Sequence, residues 1–296
     1  HWAEHKEISQ NFSILKYEPQ LWRMGACRPT IDGTIVGFEK KGKDTYALID
    51  TSDVHTLMIA AAGTGKTTFF LEPNIEYCCF ISTDTKGDIY RNCGYVAAKR
   101  YGYKISVIDL RNPLKSDGFN LLHLVKKYMD EYKNNPLNIS AKAKSERYAK
   151  IVADSIIAAD GDKYGANTYF YDAAKGLIAA QILIIAEYGN DKECHIVSVL
   201  KLMIELLEAK PQKKSQLKSE TYFADLIKLL PPEHKARWLS GAAINNADQA
   251  ALSVISTALS RLNSLIDTET EQILCFNTAI DTETLCKEKC AVFIVL

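Results

Sequence analysis

The hydrophobic period of the chain changes twice, and this limits the fold more than any single motif does. Between residues 121 and 267 apolar residues recur at helical spacing almost without interruption, for example Val152, Ile156 and Ala159, then Leu177, Ala180 and Ile184. Breaks fall at Asn135-Pro136, Gly161, Gly189, Pro211 and Pro231-Pro232, which leaves room for about six helices. On either side the texture is that of short strands. "GTIVGFEKKGKDTYALID" (residues 33–50) sets Val36 with Phe38 and Tyr46 with Leu48 about a Lys-Lys-Gly-Lys turn, which predicts a hairpin. "CFISTD" (79–84) and "KISVIDL" (104–110) are short β-branched-rich runs separated by a helical stretch near 90–101. Strands that alternate with helices imply a parallel sheet covered on both faces. After the helical block, "QILCF" and "CAVFIV" return to strand character around a short helix in "DTETLCKEK". The fold class is therefore α/β with an inserted all-helical domain. Its segments are 1–32, 33–120 (first part of the α/β domain), 121–267 (the helical insertion) and 268–296 (return to the sheet).

The hairpin leads into "HTLMIAAAGTGKTTFF" (residues 55–70). A short apolar run, Leu57 to Ile59, reads as a strand; a loop of small residues and then a helix follow, and Pro73 is expected to bend or end that helix. Strand, glycine-rich loop and helix in this order make a phosphate cradle, because glycines let main-chain N–H groups curl around phosphate oxygens at the positive end of the helix. Ala62, Gly63, Thr64, Gly65, Lys66, Thr67 and Thr68 are the candidate binding residues for ATP, with Lys66 on the β and γ phosphates and the Thr67 hydroxyl on Mg²⁺. Ala60 stands where the pattern G-x-x-x-x-G-K-[ST] has its first glycine. The plainer alternative is a glycine-containing loop followed by a surface lysine. Hydrolysis also needs an acid near the metal and a base for water. The candidates are Asp84 and Asp109, at the ends of two strand-like runs but followed by Thr85 and Leu110; their other reading is a turn or N-cap aspartate. "DTKGD" (84–88) is a candidate second nucleotide-side loop.

Composition constrains partners. The 296 residues are 47% hydrophobic and 24% charged, which suits a sizeable core and about two domains. Lysines plus arginines number 36 and acidic residues 36, so contact with nucleic acid has to come from a local patch. The lysines of residues 142–150 and 210–218 are such patches, with a solvated helix face as their default reading. Tyr169, Phe170 and Tyr171 can stack bases or pack at a helix start. His123 and His195 lie beside apolar helical stretches, and a solvated or hydrogen-bonded histidine is the simpler reading of each. Eight cysteines (Cys27, Cys78, Cys79, Cys93, Cys194, Cys275, Cys286 and Cys290) contain no C-x-x-C pair, so reduced thiols in a cytosolic setting are expected. Cys286 and Cys290 fit a short helix running into a buried strand more simply than a metal site. "GLIAAQILIIAEY" (176–188) is too short an apolar run to span a bilayer and contains Gln181 and Glu187; it reads as a buried helix in a soluble segment. A chain that opens on His1 and closes on "CAVFIVL" is expected to be an internal piece of a longer protein.

Several segments, taken in order, resemble one family. "HWAEHKEI", "HTLMIAAAGTGKTTFFLEPNI", "STDTKGDIY", "YKISVIDLRNP", "DGFNLL" and "YDAAKGLIAAQILII" are similar in order and spacing to segments of TraG/TraD-type conjugal transfer proteins, the coupling ATPases of type IV secretion. The resemblance implies a RecA-like P-loop NTPase motor with a substrate-facing all-helical domain, using ATP and Mg²⁺. It implies a homo-hexamer that receives DNA with its attached relaxase and hands it to components of the secretion channel. It also implies a place on the cytoplasmic face of the bacterial cell membrane, with residues 1–32 following an N-terminal anchor outside this chain. The sequence departs from the family pattern at Ala60, at Thr85 where proline is usual, and at "EYCCFIST", which joins helix to strand without a Gly/Pro turn. The family's Walker B Asp-Glu lies downstream of a strand like "AVFIVL", so this chain is expected to bind nucleotide and hydrolyse it slowly. The alternative is a non-hydrolysing nucleotide-binding adaptor that docks protein substrates through its helices. A P-loop kinase would need arginines near the phosphates, and the insertion carries Arg147, Arg237 and Arg261 only.

Overall fold

The structure is a computed structural model and describes residues 4–23, 31–59, 61–77, 80–100, 102–158, 168–207, 222–244 and 248–296. In chain order the first elements are α1 (His5–Asn11), β1 (Ser13–Lys16), α2 (Pro19–Arg23), β2 (Thr34–Lys41), β3 (Asp44–Asp50), a π-turn (Thr67–Leu71), α3 (Glu72–Tyr77), β4 (Phe80–Asp84), α4 (Asp88–Arg100) and β5 (Lys104–Asp109). Nine helices follow among the described residues: α5 (His123–Asn134), α6 (Ile139–Ala158), α7 (Thr168–Tyr188), α8 (Ile196–Leu207), α9 (Tyr222–Leu229), α10 (Lys235–Leu239), α11 (Gly241–Ile244), α12 (Asp248–Asn263) and α13 (Glu271–Leu274). The chain closes with α14 (Thr282–Lys287) and β6 (Cys290–Val295). It divides into two compact units, one made of His1–Asn112 with Ile280–Leu296 and the other of Pro113–Ala279.

The first unit is mixed α/β and holds two small sheets. In one, β1 and β2 flank β3 and pair with it antiparallel. The predicted hairpin is β2–β3, turning on Gly42 with a left-handed φ of 66°. Alternation along β3 buries Ala47 and Ile49 against Ile35, and Leu15, Tyr17, Phe38 and Tyr77 pack on that cluster. In the other sheet, β6 lies between β4 and β5, parallel to both. A strand paired on both sides reads as a continuous apolar run, and "CAVFIV" is one: five of its six residues are buried. Phe293 on this strand meets the rings of Phe80 and Tyr90 at 5.2 and 5.3 Å. Ile81 and Thr83 of β4 are exposed, so the expected cover on both faces is incomplete on this strand.

Two sequence expectations fail here, each for a physical reason. Residues 57–59 pair with no strand among the described residues: the segment has no regular structure and is open, with Leu57 84% and Ile59 87% exposed. "QILCF" is helical at its start, because Asp267 nucleates a turn by accepting hydrogen bonds from the N–H groups of Glu269 and Thr270 at 2.8 Å each, and α13 grows from that turn. Pro73 neither ends the helix nor leaves it regular. It is buried in the first turn of α3, and the preceding five residues widen into a π-turn in which the Glu72 N–H reaches back to the Thr67 carbonyl. A proline ring collides with the carbonyl four residues earlier in a regular α-helix, and an extra residue in the turn makes room for it.

The helical unit is organised around α7. Twelve of its 21 residues are buried, on all sides, as α5, α6, α8, α10, α11 and α12 pack around it. It is the one helix among the described residues long and apolar enough to cross a membrane by length and composition, and 67% of its apolar window is buried inside this unit. Each isoleucine or leucine buried there contributes about 1.5–3 kcal/mol relative to exposure. Gln181, fully buried at its centre, makes no side-chain hydrogen bond among the described residues.

Candidate functional site

The loop after the open segment has a definite backbone. Gly63 and Gly65 adopt left-handed φ values of 77° and 87°, and these two residues make the chain curl back before the helix starts at Lys66. Lys66 folds over the loop and donates from Nζ to the Ala61 carbonyl at 2.8 Å, which also accepts from the Thr64 hydroxyl at 2.8 Å. Gly65 closes the first helical turn by accepting from the Phe69 N–H at 2.8 Å. Ala62, Gly63, Thr64, Lys66, Thr67 and Thr68 are exposed, and Phe69 beside them is 69% exposed. The structure thus brings the seven candidate binding residues together on one open loop and helix start; Ala60 lies outside the described residues. The donor types suit a phosphate: flexible glycine main chain, one ammonium and two hydroxyls at a helix start.

Asp84 and Asp109 stand at the carboxyl ends of β4 and β5, on either side of β6. Asp84 is 2% exposed, and its carboxylate accepts the N–H groups of Lys86 at 3.3 Å and Tyr90 at 3.0 Å, fastening the DTKGD loop to the start of α4. Asp109 accepts the N–H groups of Arg111 at 3.0 Å and Asn112 at 2.9 Å. Both carboxylates thus make the contacts of turn and cap residues. Arg111 lies at the same sheet edge, donating from Nε to the Leu296 carbonyl at 2.5 Å and from its terminal nitrogen to the Thr85 carbonyl.

In the helical unit the remaining candidates are spread out. His123, Lys126, Lys127, Asp130, Asp191 and Cys194 line a cleft of about 450 Å³. Lys126 is held there by Asp130 at 2.6 Å and Asp191 at 3.1 Å. Burial pushes the Cys194 thiol up to about 11. His195 caps the start of α8 by accepting the Ser198 N–H at 3.2 Å, and burial followed by the Lys201 charge holds it below its ordinary value. Lys142 and Lys144 lie over the rings of Tyr132 and Tyr128 at 4.8 and 4.6 Å. Tyr169 is half-exposed, whereas Phe170 and Tyr171 pack on the core. The lysines of residues 210–218 lie outside the described residues. Cys286 is exposed at the end of α14, and Cys290 is buried at the start of β6.

Sequence reasoning passed over Asn74. Its side chain reaches β2, 39 residues back in the chain, with hydrogen bonds of 2.8 and 3.0 Å to the main chain of Ile35. The available signal was an asparagine, a poor helix former, placed between Pro73 and Ile75 in a short helix.

A glycine-hinged loop feeding a helix, a small parallel sheet and a contiguous helical unit define a mixed α/β protein with an added helical body. Residues 2–296 match the family model described as type IV secretory system conjugative DNA transfer, and the chain belongs to that family. It is a conjugative DNA transfer protein of type IV secretion, a system associated with the bacterial cell membrane. No curated protein matches the chain.

Proposed function

We propose that this chain is the nucleotide-binding part of a coupling ATPase that moves DNA with its bound relaxase toward the secretion channel. The observation that supports it is the open loop of residues 62–68, with two left-handed glycines ahead of Lys66 and a helix start, in a member of a conjugative DNA transfer family. In this reading Gly63, Thr64 and Gly65 wrap the phosphates of ATP, and Lys66 exchanges the Ala61 carbonyl for the β and γ groups. The Thr67 hydroxyl would help to hold Mg²⁺, which would supply neutralising charge for the phosphates. The surrounding fold is RecA-like, the working assembly is a hexamer anchored at the cytoplasmic face of the membrane, and the helical unit faces the substrate.

Calorimetric titration with ATP and Mg²⁺ tests the loop. The wild-type chain binds, and Lys66→Ala loses most of the affinity; equal binding by both forms removes the nucleotide reading. DNA handling is tested on the membrane-anchored protein, where binding should tolerate sequence and weaken steeply with salt as phosphate contacts release counterions. Rings that neither bind DNA at low salt nor support transfer of a relaxase-linked strand remove the motor reading.

One observation favours the adaptor as a second reading. Asp84 and Asp109 are both engaged by main-chain N–H groups of their own turns. A nucleotide site with neither free to hold metal or orient water binds without rapid turnover. Robust hydrolysis by the 296-residue chain, abolished in Lys66→Ala, counts against it.

A further inference from the structure

The chain leaves the antiparallel sheet after Asp50 and returns to it at Asn74, and the two ends of that excursion meet adjacent rungs, Thr34–Asp50 and Ile35–Ile49. Ile35 of β2 and Ile49 of β3 are cross-strand partners and are buried. Because β2 is an edge strand among the described residues, its main-chain groups that point away from β3 meet no strand there. Asn74 meets them at Ile35. Its Oδ1 accepts the Ile35 N–H at 2.8 Å, and its Nδ2 donates to the Ile35 carbonyl at 3.0 Å. A primary amide that satisfies both main-chain groups of one residue does there what a neighbouring strand would do. The same Nδ2 donates to the Phe70 carbonyl at 2.9 Å, inside the π-turn. One side chain therefore joins the edge of the sheet to the turn that carries Thr67 and Thr68. Immediately past the joint, the β2 register shifts between Ile35 and Gly37, so the strand bulges where it is held.

We propose that Asn74 is a positioning residue for the phosphate loop and the path by which loop occupancy reaches β2. This rests on the nucleotide reading of residues 62–68. When Lys66 leaves the Ala61 carbonyl for a phosphate, the π-turn is the segment that adjusts, and Asn74 is where that adjustment meets the sheet. The run-in from Asp50 is held in parallel: Asp50 accepts the Ser52 N–H at 2.9 Å, one residue beyond the Ile49 end of the same rung. With its exit held at Ile35 through Asn74, a loop that tightens on a ligand passes part of that change to the Ile35–Ile49 rung.

The test uses the full 296-residue chain, with calorimetric titration of Mg²⁺–ATPγS and amide hydrogen exchange with and without saturating nucleotide. Asn74→Ala removes the three bonds described above; Asn74→Asp keeps the acceptor and removes the two donor bonds. Each variant is expected to weaken binding about tenfold, the size of one to two net hydrogen bonds. In the wild type, nucleotide should slow exchange at the amides of residues 34–36 as well as in the loop. In Asn74→Asp at saturation, the loop protection should persist and the β2 response should vanish, a separation that a purely structural role would not produce. Wild-type affinity in both variants overturns the proposal, and so does β2 exchange that ignores nucleotide in the wild type. Should Asn74→Ala fail to fold, the aspartate variant and the wild-type exchange still decide. A wild type that binds no nucleotide overturns the loop reading together with this one. Binding that needs Lys66 but not Asn74 overturns this one alone.

Discussion

Gly63 and Gly65 share a backbone conformation but not surroundings. Left-handed φ costs an ordinary L-residue about 1–2 kcal/mol, so alanine at either position strains the loop. A Cβ on Gly63 would meet nothing within 4 Å, whereas one on Gly65 would lie 2.5 Å from the Phe69 ring. That ring is exposed and free to swing. Gly63→Ala is therefore expected to weaken Mg²⁺–ATP binding about tenfold through backbone strain alone. Gly65→Ala should weaken it by about as much, because the Phe69 ring can swing clear of the new methyl, and adding Phe69→Ala should change little. Because the loop is open, both single variants should keep the wild-type thermal midpoint, so calorimetry beside a thermal melt separates local from global effects. The glycines and Lys66 were legible in the sequence because their pattern is contiguous. Asn74 was not, because its meaning lies in a partner strand 39 residues away.

Elements were legible where their own residues decide them. The β2–β3 hairpin, β4, α4, β5, α14 and β6 follow from local period and turn chemistry, and the buried character of α7 follows from its all-round apolar surface. Residues 57–59 were misread because a strand exists only with a partner, and "QILCF" because five mostly apolar residues fit either period until Asp267 starts a helix. The joint between α7 and α10 was illegible for a similar reason. His234 accepts the Ala236 N–H at Nδ1, which fixes the proton on Nε2, and Nε2 donates to Glu187 at 2.8 Å. That bond first, then the charges of Lys142 and Lys133, holds the Glu187 carboxyl below its ordinary value of 4.5. The unfolded chain therefore takes up this proton at a higher pH than the folded one, so the contribution is present above about pH 4.5 and is lost as pH falls through the lower, folded value. Urea midpoints of the wild type should fall between pH 6 and pH 3.5 by more than those of Glu187→Gln. Parallel profiles would show that the joint carries no pH dependence.

At the scale of the whole molecule, each unit has a core of its own, and each places a cysteine in it. Cys194 lies in the helical unit and Cys290 in β6 of the α/β unit; both are buried, while Cys286 is exposed. Under native conditions at pH 8, a maleimide should label Cys286 while Cys194 and Cys290 stay protected. With rising urea, Cys290 should become reactive at a lower midpoint than Cys194, because among the described residues the helical unit has one large continuous core. Mass spectrometry of the labelled peptides reads the two midpoints, and a single shared midpoint would mean one cooperative unit.

The position of β6 has a consequence for how the molecule is made. The strand that sits between β4 and β5 leaves the ribosome about 180 residues after β5 is complete, with the whole helical unit synthesised in between. At about 5–20 residues per second that interval is on the order of ten to forty seconds. Throughout it, the nascent chain carries two strands with the gap between them unfilled, while the contiguous helical unit has everything it needs to fold. Assembly of the parallel sheet therefore waits until the helical unit has been made. In a cell it is the stage at which a holdase would find the most to bind.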